Sequence, residues 1–389
     1  MARLGDICEI AAGQGAPQGE NNYCSCNEGT PFIKAGDLSD LLSGKSENEI
    51  QCVNDMVAKQ YKLKLYPSGS ILFAKSGMSC MKGYVYRTQN PCYIVSHLAI
   101  VVPNNIDGEY LKYYFQYNKP NALIKDSAYP SISLQDISNI EIKLPSLESQ
   151  ISIASKLNEL NNLISLRKQQ LSKLDELVKS RFIEMFGDPV SNPFKWSTLT
   201  MKQASIRLSD GPFGSNLKSE HYTHEGVRVI RLGNIGCGYF NDEDQSYISQ
   251  EHYETIKKYT CRSGEIVIAT LGDPNLRACI IPDHIDYGVN KSDCVHYVPK
   301  AEILNNQFVC QYINCPETLS LASGMVHGQT RSRISSGQLA DLPIYLPPMD
   351  LQQQFATLVE QIDKSKFEIQ KSLEKLETLK KAMMQKYFG

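Results

Sequence analysis

SISLQDISNIEIKLPSLESQISIASKLNELNNLISLRKQQLSKLDELVKSRFIEMFG, residues 131–187, occurs twice in this chain of 389 residues. Slid by 202 positions, it meets residues 333–389 without a gap. Ile132, Ser133, Ile142, Leu144, Pro145, Gln150 and Ala154 fall on Ile334, Ser335, Ile344, Leu346, Pro347, Gln352 and Ala356. Further on, Leu171, Lys173, Leu174, Leu177, Phe186 and Gly187 fall on Leu373, Lys375, Leu376, Leu379, Phe388 and Gly389. Each copy reads as a short apolar strand, a proline, and a long amphipathic helix ending in Phe-Gly. A gapless match this long marks a duplication. Its period is far too long for a solenoid, so the chain reads as two domain-plus-helix halves.

The helices carry heptad stripes. Leu157, Ile164, Leu171 and Val178 fall seven apart, with Ile153, Leu160 and Leu174 in the other seam. In the second copy Val359 and Leu373 hold one seam, and Phe355, Ile362, Ile369, Leu376 and Met383 the other. Lys366 and Lys380 interrupt the first of these seams and read as solvated or snorkelling cations. A stripe this long needs a coiled-coil partner. The economical arrangement packs the two helices antiparallel, with Leu157, Leu160, Ile164, Leu171, Leu174 and Val178 against Phe355, Val359, Ile362, Ile369, Leu373 and Leu376. A helix of ~40 residues spans about 60 Å, so two globular domains would sit at opposite ends of a rod.

Working outward, residues 1–145 read as a mixed α/β (α+β) domain, 146–187 as the first long helix, 188–346 as a second domain and 347–389 as the second long helix. In the first domain, Thr30–Leu38 predicts a strand running into a Gly-Asp turn, Ser70–Ala74 and Val95–Val102 predict strands, and Glu109–Tyr117 an aromatic-rich helix whose rings face a core. Ser131–Leu144 alternates as an edge strand. The second domain repeats the first loosely: Gly226–Ile235 matches Gly29–Leu38, Ser263–Ala269 matches Ser68–Ala74, and Phe308–Tyr312 echoes Tyr110–Tyr114.

A hydrophobic fraction of 42% with 21% charged residues places the chain among globular proteins. No apolar run reaches membrane-spanning length and the N-terminus lacks a signal-peptide layout, so a cytoplasmic protein without membrane contact is expected. Twelve cysteines are scattered without a C-x-x-C and read as reduced thiols, Cys24 and Cys26 included. No metal site is expected. The net charge of −2 requires any nucleic-acid surface to be a local basic patch.

Catalytic signatures are missing. There is no G-x-x-x-x-G-K-[ST] loop and no G-x-G-x-x-G after a strand. Gly211–Gly214 is a turn rather than a phosphate loop, and Asn192-Pro193-Phe194 lacks the second proline of the Asn-Pro-Pro-aromatic methyltransferase motif. His221-x-x-His224 has no H-E-x-x-H frame. No Ser/His/Asp or Cys/His set assembles by spacing. The pattern favours a binding or scaffold protein over an enzyme.

Two variable domains alternating with two near-identical helices resemble the specificity subunit of type I restriction–modification enzymes. The resemblance covers essentially the whole chain. It rests on the two strand-Pro-helix repeats, on the helix end Lys179–Asp188, and on Asp210-Gly211-Pro212-Phe213-Gly214-Ser215, Leu271-Gly272-Asp273 and Asn290-Lys291-Ser292-Asp293. It implies two pseudo-symmetric target-recognition domains, each reading one half of a split, asymmetric site in double-stranded DNA. The helices would fix the spacer and dock two methyltransferase subunits. S-adenosylmethionine, ATP and Mg would belong to partner subunits, including motor-nuclease subunits where present. The chain itself would be non-catalytic.

Phosphates attract Lys and Arg, and Arg, Lys, Asn and Gln read base edges. On that basis the candidate DNA contacts are Lys34, Lys75, Lys82 and Arg87 in the first domain. In the second they are Lys218, Arg228, Arg231, Arg277, Lys291, Arg331 and Arg333. Lys34 aligns with Arg231, and Lys82 roughly with Arg277. The main rival is a two-lobed coiled-coil scaffold without sequence-specific DNA binding. A single-chain enzyme joining recognition to methyl transfer or cleavage is disfavoured, because no stretch is left to house its catalytic domain.

Overall fold

The repeated glutamine shows how each half is built. In a computed structural model that describes residues 1–25, 28–323 and 333–389, Gln150 and Gln352 are both buried near the start of a long helix. Gln150 accepts from Asp107 N–H at 2.8 Å and donates to Pro145 O at 2.8 Å. Gln352 accepts from Asn305 N–H at 2.9 Å and donates to Pro347 O at 2.8 Å. Asp107 and Asn305 are themselves side-chain caps of the short helices Gly108–Tyr117 and Asn306–Asn314. One amide therefore ties a long helix to a short one in both halves, leaving no buried polar atom of the glutamine unpaired.

The chain forms two compact units, residues 1–167 with 372–389, and residues 168–371. In the first unit, Ala2–Arg3 pairs antiparallel with Glu141–Ile142. An antiparallel sheet runs in the order Cys8–Ala12, Leu98–Pro103, Ile71–Ala74, Tyr86–Arg87. A second sheet runs Cys52–Val53, Thr30–Ile33, Tyr93–Ile94, its last pair parallel with Phe32 opposite Tyr93. The second unit repeats all three elements. Thr198–Thr200 pairs with Pro343–Tyr345. Four strands run Ser205–Ser209, Cys294–Pro299, Ile266–Ala269, Arg277–Ile280. The remaining sheet keeps the parallel pair, Val229 opposite Val289, and adds the flanking strands Tyr222–Thr223 and Thr260–Arg262.

The long helices span Leu147–Phe186 and Met349–Phe388, and each unit takes one part of both. In the second unit Phe182, Phe186, Phe308 and Phe355 are fully buried, with ring centroids 4.8–5.6 Å apart. Phe182 meets Phe355 while Asp175 meets Lys366 at 2.5 Å, so the helices run antiparallel there. In the first unit Phe388 lies 5.0 Å from the Tyr110 ring. Tyr110, Tyr113 and Phe115 are core residues as expected.

Some expectations are corrected. Ser131–Leu144 is not one strand: Leu134–Ser138 is a helical turn capped by Ser133, whose hydroxyl accepts from Asp136 N–H at 3.0 Å. Val95–His97 forms a turn, and the third strand starts at Leu98. Lys366, expected to be solvated or snorkelling, is 28% exposed and bridges the helices through Asp175. Of the seam residues, Leu157, Leu160, Ile164, Val178, Phe355, Val359, Ile362 and Leu373 are buried; Leu171, Leu174, Ile369 and Leu376 are half-buried. Cys24 is a free thiol and Cys26 lies outside the described residues, whereas Cys52 is disulfide-bonded, against the expectation of thiols throughout. No helix among the described residues is long and apolar enough to cross a membrane.

Candidate nucleic-acid interface

Parallel strands leave their carboxyl ends open, and loops leaving those ends collect functional side chains. In the first unit the ends are held by four backbone hydrogen bonds: Val95 N to Ile33 O at 3.0 Å, Leu98 N to Val95 O at 3.0 Å, Lys75 N to His97 O at 2.9 Å and Ile132 N to Lys75 O at 2.8 Å. The second unit makes the same four: Lys291 N to Ile230 O at 2.9 Å, Cys294 N to Lys291 O at 2.9 Å, Thr270 N to Asp293 O at 3.3 Å and Ile334 N to Thr270 O at 3.0 Å. A common frame thus carries Lys34, Lys75, Val95, His97 and Ser131 in one unit. In the other it carries Arg231, Thr270, Lys291, Asp293 and Arg333.

Glycine makes the frame possible. A Cβ on Gly13 would lie 2.2 Å from Val95 O, and one on Gly211 would lie 2.1 Å from Asn290 O. The Gly-rich segment at 210–215 is therefore a backbone crossing over the end of the parallel pair.

In the first unit Lys34 donates to Gln51 Oε1 at 2.5 Å, and its Nζ sits 4.2 Å from the Tyr23 ring centre. Asp37 accepts the Lys34 backbone N–H at 2.7 Å, and burial holds its carboxyl above the usual range. Ser76 Oγ lies 2.9 Å from His97 Nδ1 at the surface. Lys75 and the exposed Lys82 form no ion pair among the described residues.

In the second unit Arg231, Leu232, Gly233, Asp244, Lys291, Asp293 and Cys294 line a cleft of about 270 Å³. Arg231 pairs with Asp244 at 2.9 Å and Arg333 with Asp293 at 3.2 Å. Arg231 and Lys291 both lie 5.9 Å from the Tyr222 ring centre. Three cations around two carboxylates leave local positive charge beside an aromatic face. Burial pushes the Cys294 thiol up to about 12, so it stays protonated at neutral pH.

A family model, the type I restriction modification DNA specificity domain, matches residues 1–176 and 217–381. The chain belongs to that specificity family. The type I restriction enzyme MjaVIII specificity subunit of Methanocaldococcus jannaschii is 23% identical over 276 residues, 67% of this chain and 64% of the relative. The MjaIX specificity subunit of the same organism is 31% identical over 152 residues, 37% of this chain and 33% of the relative. The chain thus aligns with less than two thirds of either curated relative. The type I S subunit from M. genitalium has the same fold, with a TM-score of 0.57 at 13% identity over 100% of this chain and 95% of that one. A structure from work on assembly and conformational transition of the type I R-M system gives 0.59 at 17% identity, over 100% and 96%.

Within this specificity-family frame, two of the expected contacts, Arg228 and Arg277, are internal. Arg228 is 6% exposed and bonded to Asp242 at 2.5 Å and Asp244 O at 2.9 Å. Arg277 spends its guanidinium on four carbonyls, those of Leu232, Ile235, Leu271 and Pro274, at 2.6–3.0 Å. Arg87 pairs with Glu109 at 3.2 Å. Strand registers place Arg87 opposite Ile71 and Ile280 opposite Ile266, so Arg277 is not the counterpart of Lys82. Lys218 is exposed beside Glu220 at 3.4 Å, and Arg331 lies outside the described residues. His221 stacks on His252 at 3.9 Å, and no metal-binding cluster occurs among the described residues. Sequence reasoning missed His97, Asp244 and Tyr222, and quoted Asp293 only within the segment Asn290-Lys291-Ser292-Asp293. The usable signal was the matching Ser-polar pair, Ser96-His97 and Ser292-Asp293, before an apolar strand.

Arg277→Lys is expected to destabilise the second unit by about 1–3 kcal/mol, because one ammonium cannot serve carbonyls on two loops. Urea unfolding checks this; an unchanged midpoint would remove Arg277 from the loop-fixing role.

Proposed function

We propose that this chain is the DNA-reading subunit of a type I restriction–modification complex. Each unit reads one half of a split, asymmetric duplex site. The reading face carries Lys34, Lys75 and Lys82 in the first unit, and Arg231, Lys291 and Arg333 in the second, with Lys218 nearby. The long helices fix the spacer and dock two methyltransferase subunits. Those subunits carry S-adenosylmethionine and methylate adenine N6; motor-nuclease subunits, where present, add ATP- and Mg-dependent cleavage. The chain supplies the address and no chemistry, and acts in the cytoplasm.

One observation carries this reading: the same hydrogen-bonded frame recurs in both units while the polar side chains mounted on it differ. A plain scaffold gains nothing from exchanging surface chemistry on a kept frame. A reader of two unlike half-sites needs that exchange. A neutralised phosphate contact lowers the slope of log affinity against log salt by roughly 0.9. With its methyltransferase partner, the Lys291→Ala chain should bind its cognate duplex about tenfold more weakly, with a slope shallower by about 1. Unchanged affinity and slope would remove Lys291 from the interface. Failure of the wild-type complex to prefer any duplex sequence would sink the reading itself.

A further inference from the structure

The turns Val95-Ser96-His97 and Lys291-Ser292-Asp293 have one backbone and different tips. Each follows the second strand of the parallel pair, closes with an N–H to C=O bond across three residues, and bonds the end of the neighbouring antiparallel strand through the tip carbonyl. The serine is common, and the strand after each turn is buried. Only the tip side chain and its company change. His97 is exposed, its Nδ1 held 2.9 Å from Ser76 Oγ, which leaves Nε2 without a partner among the described residues. Asp293 has a side chain 29% exposed and lies 3.2 Å from Arg333. Neither is needed for packing, since the tip backbone alone makes the framework bond.

Resting on the reading proposed above, we infer that His97 and Asp293 are the equivalent specificity-determining residues of the two units. Each decides one base position in its own half-site. A carboxylate only accepts hydrogen bonds, so Asp293 selects a base that offers an exocyclic amino group, cytosine or adenine. The imidazole of His97, fixed at Nδ1, presents Nε2 and imposes a different preference. Arg333 next to Asp293 and Lys75 next to His97 supply the cation that keeps each tip against the duplex.

The test uses Asp293→Asn and His97→Ala chains, each assembled with the methyltransferase partner, with the N6-methyladenine motif mapped genome-wide. Asn keeps the acceptor and adds a donor. Asp293→Asn should therefore broaden one base position of one half-site, with preference there falling about tenfold or more. His97→Ala should relax one position in the other half-site only. An unchanged motif for either variant overturns the inference. Where a variant methylates nothing, selection from a duplex library randomised in that half-site decides. Enrichment of altered half-sites by the purified complex supports the inference; enrichment of the wild-type half-site alone, or of none, overturns it. Should the wild-type chain itself direct no motif, the underlying reading fails, a result distinct from either variant's.

Discussion

Phe182→Ala is expected to destabilise the second unit by about 3–5 kcal/mol. The ring is fully buried and meets three other rings at once: Phe186 on its own helix, Phe308 on the short helix and Phe355 on the last helix. Truncation removes the transfer free energy of the ring and leaves a void that these neighbours, packed edge to face, cannot close. With a urea dependence of about 2 kcal/mol per M for a unit this size, the midpoint should fall by roughly 1.5–2.5 M. Phe367 lies on the last helix but is 66% exposed, so Phe367→Ala should change stability by less than about 0.5 kcal/mol. Equal shifts for both variants would show that the aromatic cluster is not what joins the helices to the unit.

Gly211→Ala should impair recognition through a single methyl. Its Cβ would meet Asn290 O at 2.1 Å and the Lys291 carbonyl carbon at 2.6 Å, backbone atoms with no rotamer to yield. The strand end must move, and with it the turn that carries Lys291 and Asp293. Overpacking of this kind costs about 1–3 kcal/mol, and methylation of the cognate site should drop by at least about tenfold. Gly214 serves as the control. Its φ is +58° and a Cβ there meets nothing within 4 Å, so Gly214→Ala costs only the left-handed backbone penalty of about 1 kcal/mol. Methylation by Gly211→Ala equal to that by Gly214→Ala would contradict the crossing's role in holding the reading turn.

Much of this architecture is legible in the residues themselves. A gapless duplication exposes the two halves, and a seven-residue stripe predicts the helices to within a residue or two of Leu147–Phe186 and Met349–Phe388. The sheets are less legible because several strands are only two to four residues long, too short for alternation to speak. Ser133 illustrates the ambiguity: Ile140, Ile142 and Leu144 alternate as in a strand, yet the serine's cap turns Leu134–Ser138 into a helix. The site divides the same way. Arg228, Arg231 and Arg277 are indistinguishable by type and neighbourhood. What separates them is burial and long-range pairing: Arg228 is buried against Asp242, Arg277 is spent on carbonyls up to 45 residues away, and Arg231, though paired with Asp244, stays 41% exposed. Such partners are set by sheet order, which short strands conceal.

The equivalence of the two frames also explains why the glutamines, prolines and terminal Phe-Gly pairs repeat while the residues proposed to read DNA do not. Gln150 and Gln352 perform the same docking, and Gly187 O and Gly389 O are each held by a neighbouring side chain, Tyr345 and Lys143 respectively. Positions that hold the halves together are fixed by packing. Positions at the carboxyl ends of the parallel strands are free to change because their backbone, not their side chains, makes the framework bonds.

The central claim is that this chain gives a methyltransferase its DNA address through two unlike readers on one repeated frame. Its most direct test is a genome-wide map of N6-methyladenine in cells with and without the gene, the methyltransferase partner present in both. The account predicts that one split, asymmetric motif disappears on deletion. Persistence of every methylated motif, with the partner demonstrably active, would contradict it and favour the scaffold reading.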